Sequence, residues 1–428
     1  MRKINIAIVG LGNIGSYLYK YLKKNKQILA KKNNCIPNII CLSARNKNRN
    51  RGFKINNKQW VKNYLDVTKK KEVDLIIELI GGSDGPAKKL VFNALKNKKH
   101  VVTANKALIS NYGDQLSKIA EKNRVNLEFE AAVCGGVPII RSLKEGLIAN
   151  KISKIYGIFN GTSNYILSSM DKENKSFSDV LHKAKKLGYA ESNPLSDLNG
   201  DDVSAKLKIL SSLCFNSFLN NNIHVEGIKD IDKDDISYAK KLGYKIKLLG
   251  YAELIGKHIF QRVHPTLIRK SSYVASINGV LNAVIIDGIP VGQSIIQGEG
   301  AGPAATTSAL ISDISSILRG NIKFPFSISN KERKKLNFKQ ISERSFSAYF
   351  RFNVIDKPGV LSNITQVFSR NRVSIKRLVQ DPNKNKRSSS IIIITHPTKD
   401  KSLNKIIQTI NRKSYVKKRS KLIRINDE

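Results

Sequence analysis

This 428-residue sequence is poor in cysteine, proline and acidic side chains. Its four cysteines (Cys35, Cys41, Cys134 and Cys214) form no C-x-x-C pair. That excludes a disulfide scaffold and a cysteine-rich zinc site, and it suits the reducing cytoplasm. No apolar run approaches the roughly 18 residues of a membrane span. The opening MRKINIAIVGLG enters a strand at once, so it is not read as a secretory signal. With 11 prolines and 41% hydrophobic residues, the composition is that of a globular, core-forming chain. The length predicts about two to four domains.

Acids are outnumbered: 33 Asp and Glu stand against 75 Lys and Arg, a formal net charge of +42. Residues 331–428 hold 25 basic and 7 acidic side chains, and the other 330 hold 50 and 26. The excess is denser in the tail but present everywhere, which reads as a compositional bias of the solvated surface. No helix-turn-helix, zinc-finger or stacking-aromatic pattern accompanies it, so nucleic-acid binding is set aside. What survives is an attraction for anionic ligands.

The first third alternates strands and helices. Strands are predicted at Ile4–Val9, Asn38–Ser43, Asp74–Leu79, His100–Thr103 and Val125–Glu130. Helices are predicted up to about Lys24, at Pro86–Lys98 and near Gly113–Lys122. Such alternation predicts an α/β, Rossmann-type doubly wound parallel sheet over residues 1–133. Residues 134–326 mix helices with β-rich runs, Lys151–Phe159 and Tyr273–Asp287 among them, and predict an α+β substrate-binding and dimerisation domain. Residues from about 302 to 320 are expected to pack back on the nucleotide domain. The polar stretch 327–346 reads as a linker. Residues 347–428 predict a βαββαβ module: strand Ala348–Val354, helix Val360–Arg370, strands Val373–Val379 and Ser389–Thr395, helix Leu403–Ile410, and a short strand near Lys421–Ile425.

Gly10-Leu11-Gly12-Asn13-Ile14-Gly15 follows a strand and opens a helix, the context a dinucleotide-binding G-x-G-x-x-G needs. Gly10 permits the tight turn, Gly12 the approach of a pyrophosphate, and Gly15 the packing of helix on strand. A 2′-hydroxyl-binding acid is expected after the second strand if the cofactor is NAD. The chain reads Ser43-Ala44-Arg45-Asn46-Lys47 there instead. Arg45 can pair with a 2′-phosphate, which favours NADP over NAD. Thr103-Ala104-Asn105-Lys106 lies just past a strand, where open α/β sheets place ligands.

The stretch from Tyr189 to Lys206 (YAESNPLSDLNGDDVSAK) concentrates acids in a chain poor in them. Val203, Leu207, Leu210 and Cys214 recur at helical spacing from about Asp201. Asp202 and Lys206 are i,i+4 on that helix, so their side chains meet. Lys206 borders the apolar stripe. Desolvation lowers a lysine pKa towards the range useful for proton transfer, and a carboxylate opposes that shift. Taken alone, the pair reads as an ordinary surface ion pair. Glu191 and Asp197 suit a substrate ammonium, or else a solvated loop.

The motifs GLGNIGSYL, ELIGGSDGPA, KHVVTANKALIS, FEAAVCGGVPIIRSL, GIFNGTSNYIL, LGYAESNPLSDLNGDDVSAKLKIL and GEGAGPAATTSALISDI together make the chain resemble the homoserine dehydrogenase family, in its form with a C-terminal ferredoxin-like ACT domain. The likeness covers essentially the whole length. It implies NAD(P)-dependent reversible reduction of L-aspartate 4-semialdehyde to L-homoserine, a step towards threonine, methionine and isoleucine. By the same resemblance Lys206 is the proton donor and acceptor, with Asp202 beside it and Lys106 near nicotinamide and substrate. Glu191, Asp197, Asp202 and Tyr189 face the substrate. Leu11, Asn13, Ile14, Thr103, Lys106 and Gly302 join the glycines at the cofactor. A monovalent cation, usually sodium, falls to Glu130 and the carbonyls of Val133, Gly135 and Val137. A homodimer or homotetramer is implied, as is a threonine effector at the ACT domain near Gly359, Val360 and Asn363. The chain departs from the pattern at Asn193, where the family often has Asp, and at Cys134. Cys134 suggests an alternative, an acylating semialdehyde dehydrogenase with a thiolate nucleophile. A second alternative is an amino-acid-sensing ACT protein whose enzyme part has decayed.

Overall fold

The computed structural model describes residues 1–382 and 388–426. Five parallel strands form the first sheet: β1 (Arg2–Val9), β2 (Cys35–Ser43), β3 (Leu75–Glu78), β4 (His100–Thr103) and β5 (Leu127–Glu128), in the order β2-β1-β3-β4-β5. The order reverses between β1 and β3, so the crevice that binds ligands in such sheets opens at their carboxyl ends. Ile6, Ile8 and Ile77 point to one face, against Leu18, Leu22, Leu310 and Ile314. Ala7, Val9 and Ile76 point to the other, against Leu90, Ala94 and Leu116. The inner strands are buried on both faces, which is why these segments read as continuous apolar runs. The helix Pro303–Leu318 lies beside the helix Asn13–Lys24, far from it in sequence.

The second sheet is mixed. Its path runs from Gly292–Glu299 through Leu281–Ile289, β6 (Lys151–Ile158), Tyr244–Ile255 and His258–Arg269 to Val416–Asn426, Ala348–Ile355, Ser388–Thr395 and Ile375–Pro382. The last four strands belong to the C-terminal βαββαβ module. They join the central strands through a parallel pairing, Arg424↔Thr266 to Asn426↔Ile268. Among the described residues no helix is long and apolar enough to cross a membrane.

Several local expectations change. The helix expected near Gly113 begins at Lys106, capped by the Asn105 side chain on the Leu108 amide. Gly113 is a mid-helix packing position, where a Cβ would come 2.9 Å from the Phe326 ring. The fifth strand shrinks to Leu127–Glu128, because Glu130–Ala132 turns as a 3₁₀ helix. The β-rich run at 273–287 opens with a helical turn, Tyr273–Ser276. The last strand is long, Val416–Asn426.

The stretch read as a linker is anchored rather than free. The Arg333 side chain is wholly buried, bonded to the Ser217 carbonyl and to Asp114 at 2.6 Å. Its guanidinium lies over the rings of Phe218 and Phe326. Polar composition suggested solvent, but this one arginine satisfies its donors in the interior. Arg333→Ala is expected to cost about 2–3 kcal/mol by denaturant unfolding, since a partly buried carboxylate loses its partner. Lys335→Ala, an exposed neighbour, is expected to stay within about 0.5 kcal/mol of wild type.

Candidate active site

The glycine-rich turn is tightly built. Gly10 has φ +105°, and a Cβ there would fall 2.3 Å from the Leu79 carbonyl oxygen. A Cβ on Gly15 would fall 2.0 Å from the Gly10 oxygen, whereas nothing lies within 4 Å of one on Gly12. The helices Asn13–Lys24 and Pro303–Leu318 both begin without a side-chain cap and without an acid in the first turn. Their first N–H groups are therefore left for an anion, which suits a dinucleotide's phosphates. Leu11, Gly12, Asn13, Lys20, Arg49 and Pro303 line a depression at this point. Ile14 and Gly302 line the larger cleft beside it.

Arg45 is exposed and has no partner among the described residues. Sequence reading missed Arg51. Its buried guanidinium donates to the carbonyls of Leu11, Asn46, Lys47 and Arg49. It thus ties the 43–51 loop to the glycine-rich turn. Thr103 is fully buried, and its hydroxyl donates to Glu78 at 2.5 Å and accepts the Asn105 amide. Glu78 also accepts the amides of Ile80 and Gly81. Thr103 therefore positions the loops around Lys106, and its hydroxyl is not free for a cofactor.

An open cleft of about 600 Å³ gathers Lys106, Tyr189, Glu191, Asp197, Asp202 and Lys206 with Ile14, Cys134 and Gly302. Asp202 and Lys206 lie on the helix Asp201–Cys214, which begins at Gly200 in a left-handed conformation. Lys106 opens the helix after β4. Asp202 receives one ammonium on each oxygen, Lys106 at 2.7 Å and Lys206 at 2.8 Å. Asn160, also missed in the sequence, caps the helix that follows β6 and donates to both Asp197 and Asp202 at 2.8 Å. Lys206 donates further to the Phe159 carbonyl at 2.6 Å.

Electrostatics assign the protonation states. Burial pulls the Lys206 ammonium down, but Asp202 outweighs it and the net shift is upward. Of the two opposed effects read from the sequence, the carboxylate prevails: Lys206 is buried and holds its proton. Burial raises Asp202, but Lys206 and Lys106 together hold its carboxyl well below the usual range. Burial pushes the Cys134 thiol up to about 11, against the pull of Lys206. No histidine is among the residues lining the cleft, so a thiolate nucleophile lacks both its charge and its base.

Of the expected cation ligands, the Glu130 side chain is already engaged. Both oxygens of Glu130 accept backbone amides, from Ile140 at 2.9 Å and Arg141 at 2.7 Å. Burial pushes its carboxyl up to about 7, with those amides opposing. The Val137 carbonyl already accepts Ile139, and the Glu130 carbonyl accepts Val133. Among the described residues no group of three or more His, Cys, Asp or Glu is placed to hold a metal.

A dinucleotide turn opening onto a lysine-bracketed carboxylate defines an NAD(P)-dependent oxidoreductase. Comparison narrows the class. The family model for the homoserine dehydrogenase NAD-binding domain matches residues 10–130, that for homoserine dehydrogenase matches 138–315, and an ACT domain matches 348–414. A homoserine dehydrogenase of Neisseria gonorrhoeae is 38% identical over 99% of each chain. The crystal structure of one from Thiobacillus denitrificans superposes with a TM-score of 0.92 at 35% identity, covering 100% of this chain and 99% of that one. A hyperthermophilic archaeal homoserine dehydrogenase solved in complex with NADPH matches 73% of this chain and 97% of its own, at 25% identity and a TM-score of 0.63. The chain belongs to the homoserine dehydrogenase family.

Arg51→Ala removes the brace between the two loops at the cofactor depression. Dinucleotide affinity, followed by fluorescence titration, is expected to fall about tenfold. Unchanged affinity refutes the bracing role.

Proposed function

We propose that this chain catalyses the reversible, NAD(P)-dependent interconversion of L-aspartate 4-semialdehyde and L-homoserine in the cytoplasm. The observation that carries the reading is the shared Asp202, with Lys106 and Lys206 set on its two oxygens at the mouth of the dinucleotide crevice. The nicotinamide, when bound, supplies or accepts the hydride at the carbonyl carbon. Lys206 has two N–H groups engaged, by Asp202 and by Phe159, which leaves the third for the substrate oxygen. Charge gathering on that oxygen meets two ammonium groups in a site of low dielectric. Lys206 then gives its proton to the oxygen in reduction and takes it back in oxidation. Asn160 occupies one oxygen of Asp197, leaving the other for the substrate ammonium, with Glu191 and Tyr189 on the same wall. An intact cluster speaks against a decayed enzyme.

NADP is the preferred cofactor in this reading. Arg45 and Arg49 are exposed on the loop after β2, and no acid stands there to bind a 2′-hydroxyl. Gly359, at φ +86°, precedes the uncapped helix Val360–Arg370 and supports an amino-acid effector, L-threonine, near Val360 and Asn363. The edge strand Gly292–Glu299 leaves one side unpaired, which supports a homodimer or homotetramer.

A coupled assay with purified protein tests the assignment: homoserine oxidation is expected with either cofactor, and its absence sinks the proposal. Lys206→Ala is expected to lower turnover at least about 100-fold with dinucleotide affinity nearly intact. Asp202→Asn leaves Lys206 buried without its counter-charge, so its pKa falls. The alkaline loss of reduction rate should then move to lower pH, as measured in a pH profile of turnover. Arg45→Ala combined with Arg49→Ala should raise the KM for NADP about tenfold and leave that for NAD unchanged.

A further inference from the structure

Asn282 lies outside every motif singled out above and does not line the cleft, yet it reaches the catalytic lysine at one remove. It is the second residue of the strand Leu281–Ile289, and its side chain is completely buried. Its Nδ2 donates to the Phe159 carbonyl at 3.1 Å. The same carbonyl receives Lys206 at 2.6 Å. One acceptor therefore serves both donors, and its two lone pairs are filled.

The amide's orientation is unambiguous, because turning it over would set Oδ1 against the Phe159 oxygen. As it stands, Oδ1 is buried with no partner among the described residues. A buried unpaired acceptor costs stability, and natural proteins keep few of them. The same amide supports the cleft wall. A Cβ on Gly300 would fall 2.3 Å from its Cγ and Nδ2, so the loop at Gly300 lies directly on it. Glu299, Gly300, Ala301 and Gly302 all line the cleft.

The geometry points to Asn282 as a positioning residue for proton transfer, which holds the Phe159 carbonyl where Lys206 needs it and so aims the third N–H of that lysine at the substrate. Asp202 alone leaves Lys206 free to swing about one contact, whereas two fixed acceptors define where the remaining proton points. The inference rests on the oxidoreductase reading of this site. The charged and titratable groups that face Lys206 are Asp202, Cys134 and Asp197, with Lys106 across Asp202; of these Asn282 hydrogen-bonds only the Cys134 side chain, whose burial keeps it a neutral thiol with or without that amide.

The test compares wild type with Asn282→Ala and Asn282→Ser in homoserine oxidation across pH, with dinucleotide affinity measured alongside. Asn282→Ala is expected to lower kcat about tenfold, the worth of one hydrogen bond to a positioned group, with the KM for homoserine and for cofactor within about twofold. The Phe159 carbonyl, freed of its second donor, holds the Lys206 proton more firmly, so the rise of kcat with pH moves to higher pH. Asn282→Ser keeps a small donor and should recover part of both effects. If the alanine variant does not fold, the serine variant is read by the same criteria. A folded variant with wild-type kcat and an unmoved profile overturns the inference, as does a loss seen only as raised KM. A wild type inactive towards homoserine overturns the assignment of function and this inference with it, while an active wild type with an unaffected variant overturns this inference alone.

Discussion

One buried carboxylate set between two ammonium groups organises the molecule. Asp202 stands on the central helix, Lys206 one turn along it, and Lys106 on the nucleotide-binding half. Neither lysine would face the cleft in this way without it. Lys206 in particular would lose charge to burial. The carboxylate also joins the two halves of the chain at the point where the crevice of the parallel sheet opens. Glu78, Thr103 and Asn105 fix the approach of Lys106 from one side. Gly200 and Asn160 fix Asp202 from the other.

The scarcity of acids has a structural counterpart. Many of the carboxylates sit in buried or half-buried pairs rather than on the solvated surface. Glu128 holds Lys144, Asp400 and Glu226 hold Arg424, Asp232 and Asp235 hold Arg351, and Asp114 holds Arg333. Lys208 and Lys247 are buried without a carboxylate partner, but most of the lysines in excess are solvated, where an exchange of one polar residue for another costs little. Two of these pairs tie the C-terminal module to the central sheet. Nη1 of Arg424 donates to both oxygens of Glu226 beside the strand pairing, and Arg351 reaches the helix Lys233–Lys241. The ACT domain is thus continuous with the catalytic body in backbone pairing and in charge.

Local signals were read well where the reason is local. The helix Val360–Arg370 follows a glycine, the helix at Pro86 begins on a proline, and Asp201–Cys214 carries its apolar stripe at helical spacing. Each is decided by backbone preference or periodicity within one segment. Lys106 as a helix start was missed because the cap that begins this helix is held by Glu78, an element away. The anchoring of the 327–346 stretch is not legible in the sequence, because the stretch is polar on average while a single arginine in it is buried by the rings of Phe218 and Phe326.

The division at the site is similar. The sequence alone determined the dinucleotide turn, the i,i+4 meeting of Asp202 with Lys206, and the family, because glycine geometry, helical spacing and long motifs are properties of contiguous residues. Only the tertiary structure decided that Lys106 shares that carboxylate, that Asn160 and Asn282 brace the cluster, that Lys206 keeps its proton, and that Cys134 and Glu130 are occupied or inert. Those outcomes depend on burial and on contacts between segments as much as 123 residues apart, and a charge in the interior takes its state from whatever the fold sets beside it.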